Sequence, residues 1–281
     1  DRRQRQMCIR DRTYLPVGGD SRQWLVFSAQ NILAFILPSV LAWRICFRKP
    51  ALNAVGADTR PSAFMISVAL LIYVLGVPAL NQIIDWNQNI HLPAAFSSFE
   101  EWCREMERLA ASQTESLLGN TSITNLIVNI LVIGVLTGIG EEFFFRGAMQ
   151  RMLLHCKVNH HAAIWSSAFV FSLLHFQFFG FVPRVLLGAW FGYLYWWSGS
   201  IWVNSFAHAL NNSLVIISTW LISKGYLSGQ FDTVGVADGG FPVWALLSAS
   251  AVALSLYLLR FRLNGRHGSD NINQNSIDSL H

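Results

Sequence analysis

Seven apolar runs recur along the chain, at residues 24–47, 63–84, 123–145, 161–179, 183–198, 201–222 and 242–261. Most are long enough to cross a hydrocarbon core of about 30 Å at about 1.5 Å of rise per residue. Within each run the apolar residues are continuous, not alternating, which disfavours a transmembrane β-barrel. A chain built this way satisfies its backbone hydrogen bonds inside helices. The expected fold is therefore an all-α polytopic transmembrane helical bundle of about seven spans, or eight in an intact chain. Composition agrees, with 53% hydrophobic and 13% charged residues, where a soluble domain carries about 25% charge. The first run exceeds a typical signal-peptide core and lacks a small-residue cleavage site.

Between the runs, the segment 99–118, FEEWCREMERLAASQTESLL, places Phe99, Trp102, Met106, Leu109 and Ala110 at helical spacing. Glu100, Glu101, Arg104, Glu105, Glu107 and Arg108 fill the other side, as in an interfacial amphipathic helix connecting two spans. Basic clusters follow the first run (Arg44, Arg48, Lys49, Arg60), the third (Arg146, Arg151, Lys157) and the last (Arg260, Arg262, Arg266). With seven spans all three fall on one face, which the positive-inside rule makes cytoplasmic. Asp232, Asp238 and the acidic amphipathic segment fall on the other.

Net charge is +4, and residues 1–12, DRRQRQMCIRDR, hold five Arg and two Asp. That opening is set aside as a non-native or disordered N-terminus; the other reading is a basic arm drawn to anionic lipid. Little positive charge then remains to attract a nucleic acid. The four cysteines are scattered without a CxxC spacing, so neither a zinc knuckle nor a redox pair is indicated. The expected organisation is 13–122 for the N-terminal spans and amphipathic helix, and 123–222 for a functional core. A loop and last span follow at 223–266, with a disordered tail at 267–281.

Between Glu115 and Asp232 the only acidic residues are Glu141 and Glu142, in GIGEEFFFRGAMQ. Ionisable groups at membrane depth are costly unless paired, and they default to a functional hypothesis. Glu142 and Arg146 are four apart and share a helix face, as an ion pair requires. Glu141 lies about 100° round the helix, free to face something else. The next run contains FSLLH, with His175 four residues after Phe171. The sixth contains NSFAHALNN, where His208 and Asn212 share a face, Asn204 sits one turn earlier and Asn211 alongside.

A carboxylate and an imidazole can polarise water as general bases, or ligate a metal that lowers the water's pKa. A second imidazole and an amide can donate to the oxyanion of a tetrahedral intermediate. Together these groups fit amide hydrolysis. The rival reading is a non-enzymatic transporter or scaffold that uses the same polar residues. The Gly/Pro-broken span pairs of an inverted-repeat transporter are not evident. The GxSG, HExxH and GxGD signatures of other intramembrane proteases do not occur.

EEFFFR (Glu141 to Arg146), FSLLH (Phe171 to His175) and HALNN (His208 to Asn212), in that order on separate expected spans, resemble the EExxxR, FxxxH and HxxxN motifs of the CAAX protease and bacteriocin-processing (CPBP, Abi-like) family. That family includes the type II CAAX prenyl endopeptidase. The resemblance implies an intramembrane endopeptidase in which Glu141 and His175 activate water, His208 and Asn212 stabilise the oxyanion, and Glu142 with Arg146 supports the site. It leaves open whether Glu141, His175 and His208 hold Zn2+ or act without metal; direct water activation is the preferred reading. It also implies a peptide or membrane-protein substrate in a bilayer. The expected setting is a bacterial plasma membrane, with the site towards the cytoplasmic side.

Overall fold

A computed structural model describes residues 21–47, 55–228, 233–237 and 241–267. The expected opening segment 1–12, Asp232, Asp238 and all but the first residue of the expected tail lie outside the described residues. The chain forms the all-α membrane bundle read from its sequence, with no strand among the described residues. Among the described residues eight helices follow in order: α1 (residues 21–47), α2 (Ala63–Gln88), α3 (Ser97–Leu118), α4 (Ile123–His155), α5 (His160–Leu173), α6 (Phe181–Ser198), α7 (Ile201–Ser223) and α8 (Val243–His267).

Five of these are long and apolar enough to cross a membrane: α1, α2, α4, α6 with the short turn before it, and α8. Helix α7 is 23 residues long, but Asn204, His208, Asn211 and Asn212 dilute its hydropathy. Helix α5 is the correction. The run 161–179 was expected to span, yet it is helical for only 14 residues, about 21 Å at the α-helical rise. The chain then turns, with Phe176 in the left-handed region at φ 54°, and one 3-10 turn, Phe178–Gly180, leads into α6.

Helix α4 departs the other way. It outruns the expected 123–145 by ten residues, and two stretches, Ile130–Leu136 and Phe143–Gln150, have wider π-type turns. Such turns often mark functional sites. The helix continues because Arg146, Gly147, Ala148 and Gln150 are all buried against neighbours. Gln150 donates its Nε2 to the Gly192 carbonyl of α6 at 3.2 Å.

Close packing seats α4 on α7. A methyl group on Gly138 would stand 2.9 Å from Ala209 N, and one on Gly134 would stand 3.6 Å from Ser213 Cα. Gly134 and Gly138 form the small-xxx-small pattern that lets membrane helices approach backbone to backbone. This seam brings the EE pair of α4 against the His208 face of α7.

The bundle has two distinct ends. At one, the α6–α7 turn meets the segment before α2: Ser200 Oγ donates to the Thr59 carbonyl (2.7 Å), and Trp202 Nε1 to that of Ala57 (2.8 Å). Arg60, Lys157 and Arg260 belong to this end by chain order. At the other, α3 lies across the helices. The Leu117 carbonyl accepts from Asn125 and Asn129 of α4, and Phe99 meets Phe178 edge-on at 6.3 Å.

Candidate active site

Glu142 and Arg146 have no exposed surface at all. Arg146 Nη1 donates to Glu142 Oε1 at 2.6 Å, one helical turn away, and Nη2 donates to the Gly188 carbonyl of α6 at 2.6 Å. Its guanidinium carbon lies 5.1 Å from the Phe171 ring centre and 5.6 Å from that of Phe191. Both contacts are within reach of cation–π attraction. Glu142 gains two more donors from α7. Asn204 Nδ2 lies 2.6 Å from Oε2 and His208 Nδ1 lies 2.8 Å from Oε1. Three charge-assisted bonds thus hold one carboxylate, as a buried charge demands.

Glu141 is placed differently. Its side chain keeps 9% of its surface exposed, and His208 Nε2 stands 3.5 Å from Oε2, too long for a strong hydrogen bond. Among the described residues it has no hydrogen-bond donor. Because Glu142 can only accept, His208 Nδ1 carries the proton between them. Nε2 then faces Glu141. Phe191 stacks on the His208 ring at 4.7 Å and 18°, which fixes the ring plane.

His175 lies in the turn beyond α5, not within a membrane helix as expected. Its Nδ1 meets the Phe171 carbonyl at 2.7 Å, satisfying one of the carbonyls that a helix C-terminus leaves open. A carbonyl only accepts, so Nδ1 bears the hydrogen and neutral His175 offers a lone pair at Nε2. Phe171 joins the two imidazoles, its ring 4.9 Å from His175 and 5.7 Å from His208. Asn212, one turn beyond His208, donates to the Ile133 carbonyl in the π-type stretch of α4 (3.4 Å). Its Oδ1 accepts from Asn211 (3.2 Å), which accepts in turn from the Tyr73 hydroxyl (3.3 Å).

Direct contacts therefore join Glu141, Glu142, Arg146 and His208. His175 reaches the group through Phe171, and Asn212 is bonded to backbone beside it. The sequence reading missed the bond from Asn204 to Glu142, although its spacing, one turn before His208, was visible. It also missed Phe191, which no spacing marks. Among the described residues no three His, Cys, Asp or Glu side chains are grouped to hold a metal ion. His208 has one nitrogen committed to Glu142 and the other turned to Glu141. This donor set does not fit the Zn2+ that the sequence left open for Glu141, His175 and His208, and the chemistry proposed below rests on the chain's own groups.

An all-helical membrane bundle with a buried Glu–Arg–His–Asn cluster is the setting in which comparison with known proteins becomes informative. Residues 123–214 match the family described as type II CAAX prenyl endopeptidase Rce1-like. The match covers about a third of the chain; over this segment the chain is similar to that family, consistent with the resemblance to the CAAX protease and bacteriocin-processing family. The match starts at the first residue of α4, ends within α7 and contains all six expected site residues. No curated protein and no solved structure matches the chain.

Proposed function

We propose that this protein is an intramembrane endopeptidase that hydrolyses peptide bonds with a water activated by Glu141 and His175. The observation that carries the reading is the contrast between adjacent carboxylates. Glu142 is saturated by Arg146, Asn204 and His208, whereas Glu141 is left with His208 alone at 3.5 Å. The first is a structural anion; the second is available to a reacting molecule.

In the proposed reaction, Glu141 takes a proton from water, aided by the free Nε2 of His175, as the water oxygen attacks the scissile carbonyl. Negative charge develops on the carbonyl oxygen. His208 donates to it through Nε2 while Glu142 holds the ring at Nδ1, as a carboxylate orients histidine in a catalytic triad. The Asn212 amide proton not bonded to Ile133 is the second donor. Return of the proton to the leaving amine breaks the C–N bond. The substrate class is a peptide or membrane-protein segment. Basic residues at the α4 and α8 ends orient that end to the cytoplasm under the positive-inside rule; a bacterial plasma membrane is the proposed location.

The test is cleavage of a peptide library in proteoliposomes. Glu141→Gln preserves volume but removes the base, so turnover is expected to fall by about 10²–10⁴ with folded yield unchanged. Prolonged chelation of the wild type is expected to leave turnover intact. Full cleavage by a folded Glu141→Gln protein overturns the proposal. Stoichiometric zinc in active protein, lost in His175→Ala, overturns its metal-free form.

A further inference from the structure

The turn that carries His175 is held by groups outside the family-matched segment, and most come from the amphipathic helix α3. Glu107 of α3 accepts from the Phe179 backbone N–H at 3.0 Å and from Gln177 Nε2 at 3.4 Å. One turn earlier, the Arg104 guanidinium lies 4.3 Å from the Phe179 ring centre, and Phe99 packs edge-on against Phe178. Arg184 of α6 donates to Gln177 Oε1 at 2.7 Å from within the fold. The Asn87 side chain at the end of α2 closes the ring, donating to the Phe178 carbonyl (3.1 Å) and accepting from Val182 N–H (2.9 Å).

Each of these contacts replaces a partner that the short helix α5 cannot provide. Phe179 is buried, so its N–H without Glu107 would lack an acceptor, and an unmade buried hydrogen bond costs more than a made one gains. The turn would move to find one. His175 is two residues before Gln177, and among the described residues its polar anchor is the Phe171 carbonyl. Movement of the turn therefore changes where its Nε2 points.

We infer that Glu107 is a positioning residue for His175, and that α3 is a strap that holds the water-activating turn against the core. This rests on the proteolytic reading for its kinetic consequence, though not for its structural one. The sequence reads α3 as a connector between spans; the contacts of Glu107, Arg104 and Phe99 with the turn give it a second task.

The experiment pairs kinetics with an activity-independent spectrum of the full-length protein in proteoliposomes or nanodiscs. Glu107→Ala is expected to lower kcat by about 10–100-fold through misplacement of a catalytic group, with KM nearly unchanged. Imidazole nitrogen NMR should show His175 as a single Nδ1–H tautomer in the wild type and as a mixture in Glu107→Ala. Glu107→Gln, which still accepts from Phe179 N–H, is expected to retain most of both properties. Arg108→Ala, which removes only the exposed pair with Glu105 on the same helix, should leave both unchanged. Should Glu107→Ala not fold, Gln177→Leu is read in its place with the same expectation. Wild-type kcat together with a single Nδ1–H tautomer in folded Glu107→Ala overturns the inference. If Glu141→Gln cleaves normally, the proteolytic reading falls, while the nitrogen spectrum alone still decides whether Glu107 fixes His175.

Discussion

The two sides of the site are built by opposite means. The Glu142 side is closed: its carboxylate, the Arg146 guanidinium and the Asn204 amide have no exposed surface, and each is supplied from the interior of a long helix. The His175 side is open and borrowed. Its imidazole sits in a half-buried turn, and the backbone of that turn is satisfied by side chains from α2, α3 and α6. The closed side can stay fixed without help, whereas the open side depends on distant segments and can yield to an incoming substrate. The proposed hydrolysis would need both, a rigid source of electrostatic stabilisation and a base that a substrate can reach.

Breaking the closed side should have the largest effect. Arg146→Ala leaves Glu142 as an uncompensated buried charge, at a cost of about 3–5 kcal/mol. Loss of monodisperse folded protein is expected, read by size-exclusion profile and thermal unfolding in detergent. A stable, monodisperse Arg146→Ala protein would mean that Glu142 does not need its partner, and the contrast between the two sides would collapse.

Asn212 lies between the two regimes, since it is bonded to backbone but only half-buried. Asn212→Ala is expected to fold normally and to lose about 10²–10³ in kcat, the usual effect of removing one oxyanion donor. Unchanged kcat in the folded variant would assign Asn212 to helix packing instead.

The smallest effect concerns the start of the strap. The Leu92 backbone N–H, then Arg104, hold the Glu100 carboxyl below the usual carboxylate range. A depressed folded value means that this carboxylate stabilises the strap fully above the ordinary value of about 4.3, and that the contribution disappears as pH falls through the lower folded value. Amide exchange in the first turn of α3 should therefore be flat from neutral pH down to about 5 and rise only in stronger acid. Glu100→Gln should remove that rise. A rise already present between neutral pH and about 5 would show that another group governs the strap.

The closed side was largely legible in the sequence because it is local. Glu142 and Arg146 are one turn apart, as are Asn204 and His208, and helical spacing alone places each pair on one face. The seam of Gly134 and Gly138 against Ala209 emerged only from the packing of α4 on α7. The open side was illegible for the complementary reason. The contacts of Asn87 with Phe178 and of Glu107 with Phe179 join residues 91 and 72 positions apart, and no periodicity connects them. The hydropathy of 161–179 also misled, because Leu173, Leu174, Phe176, Phe178 and Phe179 read as one continuous span. A turn that borrows its hydrogen bonds from neighbouring side chains needs no polar residues of its own, so composition does not reveal it.

Helix α5, at 14 residues, reaches only about 21 Å in a bilayer whose apolar core is about 30 Å thick. Along α5, though not along α6, the helix is shorter than the lipid core, a negative hydrophobic mismatch of the kind that acyl chains relieve by tilting and compressing. A bilayer thinned there would bring headgroups and water closer to the turn that carries His175. A peptide bond passing through such a zone would meet water without a channel through the bundle. Under the proposed function, lipid chain length would then tune cleavage from outside the polypeptide.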